Sequence, residues 1–195
     1  MRSLKSILRE VLVKEKGPEP FSGVGTVFLS DASFKNIEEG IDPEALATAM
    51  NSNFAATHRL IEESGGLIVD STGDAVLAVW VPSFVKPSHA ELAFDCARKI
   101  LKQMQENQGK SRLTTSLRIV LATGKLAGRS IGGRFQVFGD PLAVAKRLEG
   151  LKPRKHGRVI CTSETLAYIP GAQPAEPVGH VKGVSGQDVP VFEFS

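Results

Sequence analysis

Two aspartates occupy places where chain geometry could put a carboxylate to work. Asp31 follows the short, β-branched, apolar run Thr26-Val27-Phe28-Leu29-Ser30, and Asp74 ends the polar stretch Asp70-Ser71-Thr72-Gly73-Asp74 between two further apolar runs. If those runs are strands of one sheet, the carboxylates are brought together, and two adjacent anions repel unless a cation relieves them. Mg²⁺ does so with one or two protein carboxylates and completes its octahedron with water and phosphate oxygens. The chemistry implied is metal-assisted binding of a phosphate-bearing substrate. A lone aspartate in a turn is more often a turn former, so the pairing alone gives these two their meaning.

Two cations are candidates to meet such a substrate. Arg147 lies four residues after Ala143, on the same face of a helical segment that opens at Gly139-Asp140-Pro141. It is placed either to neutralise charge developing in a transition state or to make an ordinary surface ion pair. Lys182 sits in Val181-Lys182-Gly183-Val184-Ser185-Gly186, where glycines let backbone and ammonium approach an anion. His58, His89, His156 and His180 lack ligand spacing with one another, and Cys96 and Cys161 form neither a CxxC nor a Cys/His pattern. A reduced, cytoplasmic setting is therefore expected. No Walker A loop, zinc-protease helix or nucleophile elbow is present.

The elements that must position these groups can be read from periodicity. Leu4, Ile7, Leu8, Val11 and Leu12 form one face of an amphipathic helix that ends in the linker Gly17-Pro18-Glu19-Pro20. A strand over 26–30 follows. Asp42-Pro43 opens a helix with Leu46, Met50, Phe54 and Ile61 at helical spacing, stopped by Ser64-Gly65-Gly66. Strands over 67–69 and 75–80 flank a turn over 70–74; a helix runs from His89 to Met104, and a strand over 117–122. Glycines 124, 128, 132 and 133 are expected to break up the next stretch before a strand over 135–138. A helix to Gly150, a strand over 159–161, a short helix over 162–168 with Glu164 in a capping box, and a strand over 189–194 complete the chain. Interleaved strands and helices, with the helices on one face of a mixed sheet, predict an α/β sandwich.

Composition narrows the class. The 195 residues are 42% hydrophobic and 23% charged, the profile of one globular domain able to bury a core without disulfides or a structural metal. A net charge of +3 argues against nucleic acid as partner. No apolar run reaches the roughly 18 residues of a membrane span, and the N-terminus lacks a signal-peptide core, so no membrane insertion is expected.

Taken in order, Thr26 to Asp31, the helix ending at Gly65-Gly66, Thr72-Gly73-Asp74-Ala75-Val76-Leu77-Ala78-Val79-Trp80, and Val137-Phe138-Gly139-Asp140 through Ala145-Lys146-Arg147-Leu148-Glu149-Gly150-Leu151 resemble the class III nucleotidyl cyclase catalytic domain. The resemblance covers about residues 22 to 194, leaving 1–21 as helix and linker. It implies a ferredoxin-like βαββαβ core with C-terminal additions, dimerised head to tail so that two protomers build each active site. Asp31 and Asp74 match the metal aspartates, holding two Mg²⁺ or Mn²⁺ ions with help from the Ala32 carbonyl. Arg147 matches the transition-state arginine, and Lys182 the lysine that binds the triphosphate. The implied reaction converts a nucleoside triphosphate, ATP first and GTP or another as options, to its 3′,5′-cyclic monophosphate and pyrophosphate.

Departures from the family pattern qualify this. The base-selecting positions carry Asp70 and Gln136, and guanine-selective relatives also place an acid at the first. The asparagine that assists the arginine is replaced by Ala143, which has no donor. Phe34-Lys35 stand in an irregular loop where the family cradles phosphate, and Gly128 to Arg134 is short for a dimer arm. These departures keep a second reading open, a catalytically weak or inactive domain serving as a nucleotide-binding and dimerisation module.

Overall fold

Strand β1 (Phe21–Lys35) organises the sheet. It pairs antiparallel with β4 (Thr114–Ile131) along its whole length, and with β3 (Ala75–Trp80) from Thr26 to Asp31. Strand β2 (Leu67–Thr72) pairs with β3 on the outer side. The chain, a computed structural model, is described at residues 18–35, 43–72, 74–83, 85, 88–107, 114–150, 158–171 and 175–194. The helix expected near the N-terminus lies outside those residues.

Helices α1 (Pro43–Glu63) and α2 (His89–Asn107) alternate with these strands, so the antiparallel order β2-β3-β1-β4 is the ferredoxin-like βαββαβ core. Strand β6 (Val159–Thr162) joins β4 in parallel, and β8 (Asp188–Phe194) and β7 (Glu176–Lys182) extend that side, while β5 (Arg134–Phe138) folds back on β4 alone. Among the described residues, no helix is long and apolar enough to cross a membrane.

Helices cover both faces of the sheet, not the single face expected from sequence. Along β1, Phe28 points into a core with Ile61 of α1 and Ala93, Ala97 and Ile100 of α2. Its neighbours Val27 and Leu29 point the other way, onto Val144, Ala145 and Leu148 of α3 (Asp140–Glu149). A strand apolar on both sides needs cover on both sides. Each large side chain fully buried, such as Phe28 or Trp80, contributes roughly 1.5–3 kcal/mol.

The strands also run further than expected. β4 passes straight through Gly124 and Gly128, because bulky neighbours occupy the space a side chain would need: the Pro141 ring at Gly124 and the Phe21 and Phe135 rings at Gly128. Only Gly132 and Gly133 turn the chain, with φ of 59° and 78°, as a two-residue hairpin requires. Phe34 and Lys35 belong to β1, in register with Thr115 and Thr114; the irregular loop expected there is strand. In α4 (Ser163–Ala167), Thr162 caps the helix by accepting from the Thr165 N–H at 3.3 Å, whereas Glu164 accepts from Ser163 Oγ at 3.1 Å instead of closing a capping box.

Candidate active site

The β1–β3 ladder brings the two aspartates together. Asp31 is the Cα partner of Ala75, the residue after Asp74, and the Ala32 N–H donates to the Asp74 carbonyl at 2.9 Å. The ladder to β3 ends here while β1 continues beside β4, so Asp31 lies within the strand and not at its end. Asp74 is exposed in the turn and Asp31 half-buried. Both are held by main-chain hydrogen bonds that do not depend on their side chains, which leaves the carboxylates available.

This donor set fits a hard divalent cation. Two carboxylates and the Ala32 carbonyl are all oxygen ligands, the kind Mg²⁺ or Mn²⁺ takes. Among the described residues no cluster of three or more His, Cys, Asp or Glu side chains could hold a metal by itself. Remaining positions would fall to water and substrate oxygens, as Mg²⁺ prefers.

Arg118, which sequence reasoning passed over, stands next to Asp31 in the sheet. It is the β4 partner of Asp31 and shares the α3-bearing face with it. Its Nη1 donates to the carbonyl of Glu149 at the end of α3, and its Nε is buried without a partner. A charged residue inside the apolar run Leu117-Arg118-Ile119 was the available signal.

Arg147 and Lys182 also meet, toward the β7 edge of the sheet. Arg147 Nη1 donates to the Lys182 carbonyl, joining α3 to β7. The Lys182 ammonium is 2.8 Å from Asp188 Oδ1 on β8. That contact holds the Asp188 carboxyl below the usual carboxylate range. From β1 to β7 there are four steps in the sheet, through β4, β6 and β8. Ala143, half-buried on α3, presents only a methyl.

The two positions expected to select the base are less closely joined. Asp70 stands at a bulge in β2, and its Oδ1 accepts from the Ser71 N–H at 3.0 Å. It opens on a cleft of about 220 Å³ lined also by Leu29, Leu77, Leu142, Lys146 and Glu149. Gln136 is exposed on β5, the cross-strand partner of Arg129, and does not line that cleft. Lys146 is the cation nearest the role, and no spacing rule pointed to it. Away from these groups, the thiols of Cys96 and Cys161 are buried and pushed up to about 11 and about 12 by burial, which leaves them unreactive.

Comparison with known proteins identifies the family and the fold. The family model described as the adenylate and guanylate cyclase catalytic domain matches residues 17–182. Adenylate cyclase 1 of Rhizobium meliloti is 25% identical over 167 residues, which cover 82% of this chain and 25% of that protein; the chain thus spans about a quarter of this relative's length. Two solved structures share the fold. The adenylyl cyclase CyaB of P. aeruginosa superposes with a TM-score of 0.75 at 20% identity, over 90% of this chain and 95% of that one. The guanylate cyclase domain of RhGC from Catenaria anguillulae, in complex with GTP, gives 0.73 at 21% identity, over 91% and 98%.

Proposed function

The chain belongs to the adenylate and guanylate cyclase catalytic domain family, and from that premise we propose that it makes a 3′,5′-cyclic nucleotide at a site shared by two copies arranged head to tail. The carrying observation is the separation of the half-sites. Asp31 and Asp74 lie on β1 and the β2–β3 turn, whereas Arg147 and Lys182 meet at β7, four strand steps away. The ribose 3′-oxygen, α-phosphorus and leaving pyrophosphate are bonded neighbours, so a site that uses both pairs needs them side by side. A second copy turned end for end brings its cations to the first copy's carboxylates. The exposed Ile131 and Phe138 of the β4–β5 hairpin offer apolar surface for that contact.

Each residue then has a role set by its chemistry. Asp31 and Asp74, with the Ala32 carbonyl, would hold two Mg²⁺ or Mn²⁺ ions; when bound, these supply Lewis-acid activation of the 3′-oxygen and neutralise phosphate charge. The 3′-oxygen attacks the α-phosphorus, the bond to pyrophosphate breaks, and the hydroxyl proton passes to solvent. Arg147 of the partner faces the charge that develops on the α-phosphate, and its Lys182 holds the terminal phosphates. Arg118, beside Asp31, offers further donors to the polyphosphate. Phe34 and Lys35, at the end of β1, stand three and four residues after Asp31 on the same strand. Asp70, an acceptor when ionised, reads an N–H of the base, with Gln136 available from β5. ATP is placed first as substrate and GTP beside it.

Purified protein incubated with each ribonucleoside triphosphate plus Mg²⁺ or Mn²⁺, with products read by mass spectrometry, tests this. A 3′,5′-cyclic product that disappears in Asp31→Ala and Asp74→Ala supports it. Ala143 favours a second reading, a module that binds nucleotide without turnover; thermal stabilisation by nucleotide with no product from a dimeric sample would select that reading.

A further inference from the structure

The β7–β8 turn carries an acid next to the phosphate-binding lysine that the reaction does not require. Lys182 and Asp188 are cross-strand partners, the last pair before a turn closed by Gly183 N–H donating to the Gln187 carbonyl at 2.7 Å. Gly186 in that turn has a φ of 85°, which glycine adopts without strain. The Lys182 carbonyl is held by Arg147 from α3, and its ammonium by Asp188 from β8. His180, two residues back on the same strand face, has Nε2 3.9 Å from the same Asp188 oxygen.

We propose that Asp188 is the built-in counter-ion of Lys182 and limits how tightly the active site holds polyphosphate, the leaving pyrophosphate included. The proposal rests on the reading of Lys182 as a phosphate ligand. The side chains of Lys182 and Asp188 are 64% and 55% exposed, and an ion pair so open to water does little for the fold. Its effect falls on what binds next. One of the three ammonium donors is already given to Asp188, and a polyphosphate arriving at the other two meets a fixed negative charge one hydrogen bond away. Like charges that close disfavour each other. Asp188 also orders the lysine, but that gain concerns one side chain, while the repulsion acts on every phosphate charge. Charge therefore decides the direction, and removing the acid tightens binding.

Calorimetric titration of the full chain with Mg²⁺-pyrophosphate, alongside steady-state kinetics on the preferred triphosphate, measures this. Asp188→Asn keeps the size of the side chain and removes the charge. It is expected to bind pyrophosphate roughly three- to tenfold more tightly, the scale for one like charge at an exposed site. KM should fall by a similar factor without a rise in kcat. Lys182→Gln alone should weaken binding, and adding Asp188→Asn to it should bring a smaller gain than in the wild-type background, because only the direct repulsion is then relieved and no ammonium donor is released. Unchanged or weaker binding in Asp188→Asn overturns the counter-ion role while leaving Lys182 in place. An equal gain without Lys182 overturns it too, since the acid would then act as a distant charge. If Lys182→Gln leaves pyrophosphate affinity unchanged, the reading of Lys182 falls and the proposal with it.

Discussion

Asp31 and Arg118 face each other across the β1–β4 ladder, on the side of the sheet that carries α3. The guanidinium is anchored at one end to the Glu149 carbonyl, and its Nε is buried and unpartnered. A planar donor group fixed in that way suits a phosphate oxygen better than a flexible lysine would. Arg118→Met is predicted to raise KM for the triphosphate about 10- to 100-fold, the equivalent of about 1.5–3 kcal/mol for a hydrogen bond to a charged group. Arg118→Lys should recover only part of it. Steady-state kinetics check this, with thermal melts to separate the loss of the Glu149 contact; an unchanged KM would remove Arg118 from the site.

Ala143 is the position where chemistry is missing. It is half-buried on α3, one turn before Arg147. If a donor there is what this chain lacks, Ala143→Asn should raise kcat, on the order of 10-fold or more given what single transition-state donors contribute elsewhere. KM should move less. A kcat that stays flat in a folded variant would mean that Arg147 acts without such an assistant.

His89 gives the fold a pH dependence of defined sign. It is 4% exposed, with Nδ1 2.8 Å from Thr26 Oγ1, which lies 2.8 Å from Thr123 Oγ1. Burial lowers its pKa below the ordinary 6.5, so the unfolded chain takes up this proton at a higher pH than the folded one. The contribution is complete above about pH 6.5 and is lost as pH falls through the lower folded-state value. Melting temperature should therefore drop as pH is lowered from 7 to 5, and His89→Gln should flatten that dependence; a profile unchanged by the substitution would contradict the assignment.

The placement of the proposed site's parts was legible where they follow local rules. Asp74 sits in a glycine-containing turn between apolar runs, and Gly139-Asp140-Pro141 announces the helix that carries Arg147. Strand pairing then did what the spacing required, setting Asp31 opposite Ala75. What was missed depends on distant partners. β7 is a polar edge strand interrupted by Pro177 and Gly179, which lack the alternation of a buried strand. Its pairing with β8 is what places Asp188 on Lys182. The two-sided helix packing follows from β1 being apolar on both faces, a property that periodicity reports only as a strong strand.

Gly128 makes the same point as a prediction. Read locally it is a strand breaker, yet in the sheet a Cβ there would run into Phe21 Cε1 and lie 2.7 Å from Phe135 Cζ. Gly128→Val should overpack this junction and destabilise by about 1–3 kcal/mol, lowering Tm by several degrees. Denaturant unfolding or calorimetry reads this directly; wild-type stability would show that the two rings move aside freely.

Mixing two inactive variants tests the shared site most directly. Asp74→Ala removes a carboxylate and Arg147→Ala the cation proposed to act on the neighbouring copy's substrate, so each homodimer should be silent. In an equimolar mixture allowed to re-associate, half of randomly formed dimers are mixed and each holds one intact site of two, which predicts about a quarter of wild-type turnover. No recovery, in a sample shown to contain mixed dimers, would contradict a site assembled from the Asp74 half of one copy and the Arg147 half of the other.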